Sequence, residues 1–325
     1  MTMPRNADTA HRPTEAIHLW LGGRSRFEWN YHERDNYVRT RTWSASRDLA
    51  AAEVLLASAA AAGLDVTAAR GRLAEGWRAL LKAEVSDATG ITPWQGEFNY
   101  GVTNTAAAQA AADGLFASLT AQLGWPHASV DLAAGTAERA DELPQPDPLP
   151  EVDAPMTVTV DAPTRTTEVH WYDRASGAYE LHVTFGPGAD PTAQDVDSCQ
   201  VTVSFPREVD ALVYTPGLAE DLVVEHALSE FSFHPDDDYH SGAADVYLPA
   251  VNGLVGLGGG WWVIRDNRTV MIAPRIPVAE KVVQFRDETA DPVAPPTWVF
   301  HLVNGSTADA LAFATRANLQ PVISK

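Results

Sequence analysis

Residues 77–104 read W-R-A-L-L-K-A-E-V-S-D-A-T-G-I-T-P-W-Q-G-E-F-N-Y-G-V-T-N. Leu73, Trp77, Leu80, Leu81 and Glu84 recur at three- and four-residue steps, the spacing of a helix face turned toward a partner. Thr89-Gly90 breaks the period, and Pro93-Trp94-Gln95-Gly96 turns the chain. A helical pattern resumes from about Thr103 to Leu123, with Ala107, Ala111, Leu115, Leu119 and Gln122 along one side. The stretch is therefore a helix, a turn and a second helix. Around the turn stand Glu84, Ser86, Asp87, Trp94, Glu97, Asn99 and Tyr100. Polar groups crowded among aromatics suit a polyhydroxyl ligand, and they equally suit a capped helix end.

On the N-terminal side, Ser44 or Ser46 can cap a helix that runs to about Ala62 and ends at Gly63. Thr67 can cap the helix that leads into the stretch. Three helices with short connections predict an antiparallel bundle over residues 43–125. Residues 1–42 are a polar leader followed by an aromatic segment. Its Trp20, Phe27, Trp29, Tyr31 and Tyr37 are expected to dock on the helices.

On the C-terminal side, residues 126–155 interleave Pro144, Pro146, Pro148, Pro150 and Pro155 with acidic side chains, which predicts a stiff linker. From 156 to 325 the period changes to two. Strands are predicted at 156–161, 166–172, 179–185, 200–205, 211–214, 222–226, 246–249, 261–265, 269–273, 281–285 and 298–303, with Asp266-Asn267 as a tight turn. Gly256-Leu257-Gly258-Gly259-Gly260 reads as a loop between strands. A helix from about Thr307 to Asn318 follows Gly305-Ser306. The fold class is α+β: an N-terminal three-helix bundle followed by an antiparallel β-sandwich domain with a C-terminal helix.

Composition narrows the function classes. At 325 residues the chain can bury a sizeable core. Its 43 acidic against 23 basic residues give a net charge of −20, which repels phosphate backbones and anionic lipid and so excludes nucleic acid and membrane as partners. No apolar run approaches the ~20 residues of a membrane span. Met1 to Arg12 shows no secretory h-region. The one cysteine, Cys199, excludes an internal disulfide. A cytoplasmic location is expected.

No G-x-S-x-G, P-loop, strand-borne G-x-G-x-x-G or H-E-x-x-H motif occurs. The segment His234-Pro-Asp236-Asp237-Asp238-Tyr239-His240 carries oxygen and nitrogen donors, yet lacks the alternate spacing and the glycine of a calcium loop. It reads as a solvated loop, and neither a metal nor another cofactor is expected. Asp87 and Glu97 are the carboxylates considered for acid–base work, since a glycosidase needs two across its scissile bond. Ser86, Trp94, Asn99 and Tyr100 are the candidate ligand contacts, with Trp94 and Tyr100 offering faces on which a sugar ring can stack.

At these residues the chain resembles the helical-bundle and C-terminal β regions of family 38 glycoside hydrolases, the retaining α-mannosidases. Arg47-Asp48-Leu49 and the run to Ala60 look like the first bundle helix of that family. Leu73 to Leu81 looks like the second, Ser86-Asp87-Ala88-Thr89-Gly90 like its His-Asp…Gly segment, and the chain from Gly253 onward like its last β region. In the family the histidine before that aspartate binds zinc; this chain has Ser86 there, a poor ligand. The family's nucleophile and remaining zinc ligands lie on an α/β barrel with no counterpart in this sequence. Asp87 is the one position carried over, as a helper beside the metal.

What the resemblance implies is a carbohydrate-active protein, an accessory or glycan-binding portion without a complete catalytic site of its own. Its expected partners are carbohydrate and either a separately encoded barrel protein or a second copy of the chain. The alternatives are a non-enzymatic structural or protein-interaction module, and a self-contained glycoside hydrolase working through Asp87 and Glu97.

Overall fold

Three helices come first: α1 (Asp35–Ala61), α2 (Thr67–Ala83) and α3 (Gln95–Leu123). In this computed structural model the described residues are 35–84, 95–143, 148–174, 177–187, 201–208, 211–215, 224–227, 245–247, 254–272, 274–277, 280–287, 296–319 and 322–323. The helices bury small and medium apolar residues against one another, among them Ala45, Leu49, Ala52, Leu55, Leu80, Ala108, Ala112, Leu115 and Leu119. Small residues let the axes approach. At Gly76 of α2 an added methyl would lie 2.6 Å from Leu49 Cδ2 and 3.0 Å from Ala111 Cβ.

Three helix boundaries differ from the sequence expectation. α1 starts at Asp35, well before Ser44 and Ser46. Val38, Thr42, Ala45 and Leu49 are all buried at helical spacing, and Thr42 Oγ1 satisfies itself by donating to the Val38 carbonyl at 2.9 Å. Residues 35–42 thus belong to the bundle rather than to a docking segment. Thr67 is the first helical residue of α2 and not its cap; its N–H donates to Asp65 Oδ1 at 3.0 Å. α3 starts at Gln95, so Glu97, Asn99 and Tyr100 sit on its first turns instead of in the connecting turn. Of the stripe read on α2, Leu81 is 63% exposed; the buried face is Ala69, Leu73, Gly76, Leu80 and Ala83.

The stretch 126–155 opens with a hairpin, β1 (His127–Asp131) and β2 (Thr136–Ala140). Asp131 Oδ1 accepts the N–H groups of Ala133 and Ala134, and Gly135 takes the positive φ that the turn requires. Ala128 and Val130 pack on the bundle core. The proline-rich composition of the rest of the stretch concealed this hairpin.

Beyond it lie β3 (Thr159–Asp161), β4 (Thr167–Asp173), β5 (Ala178–Phe185), β6 (Val201–Pro206), β7 (Ala211–Thr215), β8 (Val224–Ala227), β9 (Asp245–Tyr247), β10 (Leu254–Gly258), β11 (Trp261–Arg265), β12 (Arg275–Pro277), β13 (Val282–Asp287) and β14 (Thr297–Asn304). They form a seven-stranded sheet in the order β4-β5-β14-β11-β10-β7-β8 and a five-stranded sheet in the order β3-β6-β13-β12-β9. The pairings are antiparallel. The two sheets enclose one apolar core, so the period-two region is a sandwich. Phe300 of β14 meets Phe205 of β6 and Phe285 of β13 at ring distances of 5.1 and 4.8 Å.

Besides β12 (Arg275–Pro277), a strand the sequence does not predict, two strand assignments change. The glycine-rich run 256–260 is not a plain loop: its first half is β10, joined to β11 through Gly259 and Gly260 at positive φ. Residues 269–273 contain no strand among those described. Thr269 and Val270 instead donate their N–H groups to the carbonyl of Asp266 in a tight turn.

The last helix, α4 (Thr307–Asn318), has the expected bounds. Ser306 caps it in a reciprocal box with Asp309, each accepting from the other's backbone N–H. Its buried Ala310, Leu311 and Ala314 cover Ala178, Leu254, Trp262, Ile264 and Val303 on the outer face of the larger sheet. The chain then returns to the bundle. β15 (Val322–Ile323) pairs with β1, and Val322 joins the helical core.

Candidate functional site

One end of the bundle is built by the start of α1, the end of α2 and the start of α3. Ser86, Asp87 and Trp94 lie outside the described residues, as does the loop from His234 to His240; of Glu97 the backbone alone is described, within α3. Asn99 is exposed there, and Tyr100 stands out on the same turn with 47% of its surface open. Asn104 donates back to the Tyr100 carbonyl at 2.9 Å. Beside them Tyr37 of α1 meets Phe98 of α3 at 5.6 Å, and the Arg41 guanidinium lies 3.5 Å above the Tyr37 ring. Glu84, just past α2, is exposed, and partial desolvation by the neighbouring protein pushes its carboxyl up from the usual value. The helices therefore bring Glu84, Asn99, Tyr100 and an aromatic pair to one end of the bundle.

A second polar cluster, absent from the sequence reading, lies on the outer face of the seven-stranded sheet. Directly opposed residues form a row across it: Glu151, Tyr172 on β4, Glu180 on β5, His301 on β14 and Ile264 on β11. The neighbouring row is His170, His182 and Val299. Between the rows and α4 sits a buried ionic chain. His301, 1% exposed, places Nδ1 3.5 Å from Glu180 Oε2 and Nε2 3.6 Å from Asp266 Oδ2, long for hydrogen bonds. Its ring also faces Phe313 of α4 at 5.3 Å.

Glu180 and Asp266 each have their own cation. Arg174 donates to Glu180, and Arg268 clasps Asp266 through Nε at 2.9 Å and through Nη2. Burial alone would raise the Glu180 carboxyl. The hydrogen bond from His182 and the charges of His301 and Arg174 outweigh burial and hold it down at about 2. Asp266 follows the same logic: burial opposes its charge, and Arg268 and His301 bring its carboxyl well below the ordinary range. The turn that supplies Asp266 is tied to α4, because Asn318 accepts from the Asn267 N–H at 2.8 Å and donates to the Arg265 carbonyl at 3.2 Å.

From that buried chain the polar groups run outward to half-exposed imidazoles. His182 Nε2 lies 2.6 Å from Glu180 Oε1, and His170 Nδ1 lies 2.8 Å from Glu151 Oε1. The Tyr172 ring sits near both, 4.8 Å from His182 and 6.5 Å from His170. Among the described residues, no three His, Cys, Asp or Glu side chains are arranged to hold a metal ion.

The alternation in Glu168-Val-His170-Trp-Tyr172 and in Glu180-Leu-His182 does mark polar faces of two strands. It does not say that these faces lie side by side, nor that His301 lies under the next one. Compared with known protein families, the chain matches no family model, and no curated protein is found as its relative. Among the described residues no helix is long and apolar enough to cross a membrane.

Proposed function

We propose that this chain is a carbohydrate-active protein, a glycan-binding portion of the α-mannosidase type that lacks a complete catalytic site of its own. The ligand sits at the bundle end, between the close of α2 and the first turns of α3. The observation that carries the reading is the exposed Tyr100 beside Asn99, at the mouth of the connection that also contains Ser86, Asp87 and Trp94. An exposed aromatic next to amide and carboxyl groups offers a saccharide both a stacking face and partners for its hydroxyls. The order of bundle, then antiparallel sandwich, is also the order that the resemblance implies. Titration calorimetry with manno-oligosaccharides on the whole chain and on its Trp94→Ala variant tests the proposal. Binding by the first and a loss of at least tenfold in the second support it; no binding by either removes it.

A second reading draws on Leu81, 63% exposed in the last turn of α2. A large apolar side chain in water there favours docking of another protein, a separate catalytic barrel being the candidate of interest. Leu81→Asp then abolishes association with such a barrel and leaves saccharide binding unchanged. Steady turnover of an aryl mannoside by the chain alone, lost in Glu97→Gln, would instead make it a self-contained hydrolase.

A further inference from the structure

The two half-exposed imidazoles on the sandwich face have defined faces toward solvent. A carboxylate only accepts hydrogen bonds, so the ring nitrogen that meets it carries the proton. His182 therefore donates through Nε2 to Glu180, and in its neutral form Nδ1 on the other side of the ring is an acceptor. His170 donates through Nδ1 to Glu151, and its Nε2 becomes the acceptor. The two residues are directly opposed across β4 and β5, with the Tyr172 ring beside both.

What holds His182 in place is unusually costly to assemble, whereas His170 is oriented by the exposed Glu151. Burying Glu180, Asp266 and His301 in the sheet face contributes little to stability compared with apolar residues of similar size. Groups so arranged concentrate where a side chain must be oriented. Here the chain Asp266–His301–Glu180 ends on His182. Arg268 and Arg174 compensate the two buried carboxylates, so the cluster does not call for an ionic ligand to neutralise it. The face presents two imidazole acceptors, the Glu151 carboxylate at 63% exposure, and an aromatic ring. The complementary chemistry is an uncharged molecule with several adjacent hydroxyl donors and an apolar C–H face.

We propose that the outer face of β4 and β5, centred on His170, Tyr172 and His182, is a second saccharide-binding site, separate from the bundle end. Hydroxyls donate to His182 Nδ1 and His170 Nε2, and the sugar ring rests against Tyr172. The inference depends on the carbohydrate reading above but places a site that the reading does not require.

Mannotriose titrated into the whole chain and into His182→Ala, Tyr172→Ala and Trp94→Ala tests it, with circular dichroism and melting confirming that each variant folds. His182→Gln keeps an acceptor at the same face and covers the case in which the alanine variant fails to fold. The expected result is a wild-type isotherm with two classes of site. His182→Ala and Tyr172→Ala each weaken one class at least tenfold, His182→Gln retains it in part, and Trp94→Ala leaves it intact. If Trp94→Ala removes all binding while folded His182→Ala and Tyr172→Ala bind like the wild type, the second site is overturned and the carbohydrate reading stands. If only the sheet variants lose binding, the second site stands and the bundle-end assignment falls. No binding by the wild type overturns both.

Discussion

Glu180 shows how a single carboxylate ties the sheet face together. It hydrogen-bonds His182 and Arg174 and faces His301 across the strand pairing. Its folded value of about 2 lies below the ordinary 4.5. Above about pH 4.5 the side chain is charged in folded and unfolded chains alike, and its favourable surroundings count in full. As the pH falls from there toward 2, the unfolded chain takes up the proton first, and the stabilisation is lost. Urea melts across that range should therefore show a steep fall in wild-type stability and a shallower one in Glu180→Gln. Equal slopes would mean that the carboxylate is not held in this way. Little of this was legible from residues 168–182 alone. A lone Glu and a lone His at alternate positions look like any solvated strand face, and His301 arrives from a strand far along the chain.

Among the elements, α2 carries two glycines in contrasting surroundings. Gly76 is buried where α1 and α3 converge, with Leu49 and Ala111 already in contact range of an added methyl. Gly71 has nothing within 4 Å. Gly76→Ala should destabilise by about 1–3 kcal/mol through overpacking. Gly71→Ala should stabilise by roughly 0.5–1 kcal/mol through helix propensity and a stiffer unfolded chain. Denaturant melts of both variants, giving opposite signs, would confirm the packing. A neutral Gly76→Ala would show that α1 and α3 are looser there. Helices were legible where caps and periods agree, as in α4 with Ser306, Asp309 and its apolar stripe. The start of α1 is not legible, because Ser44 and Ser46 have the side chains of a cap yet lie inside a helix that already begins at Asp35. β10 was hidden for a related reason: glycines weaken a strand pattern even where the backbone pairs on both sides.

For the whole molecule, the sequence order of bundle and sandwich is crossed at the end. α4 covers the larger sheet, and β15 then pairs with β1 on the bundle. Asn318 anchors the close of α4 to the turn that carries Asp266, so the polar sheet face and the C-terminal return share one turn. The change of period from helical to two made the two halves readable. Sheet order and the return of β15 were not, because pairing is decided by contacts between segments distant in the chain. The candidate site at the bundle end was legible as a cluster of residue types. That Asn99 and Tyr100 stand on a helix rather than in a turn became visible only with the fold.

Hydrogen exchange of the whole chain with and without saturating mannotriose reads saccharide binding and its place together. Protection concentrated in peptides spanning residues 84–104 is the predicted result, with a second protected region over β4 and β5 if both faces bind. Exchange unchanged throughout the chain would contradict the carbohydrate function.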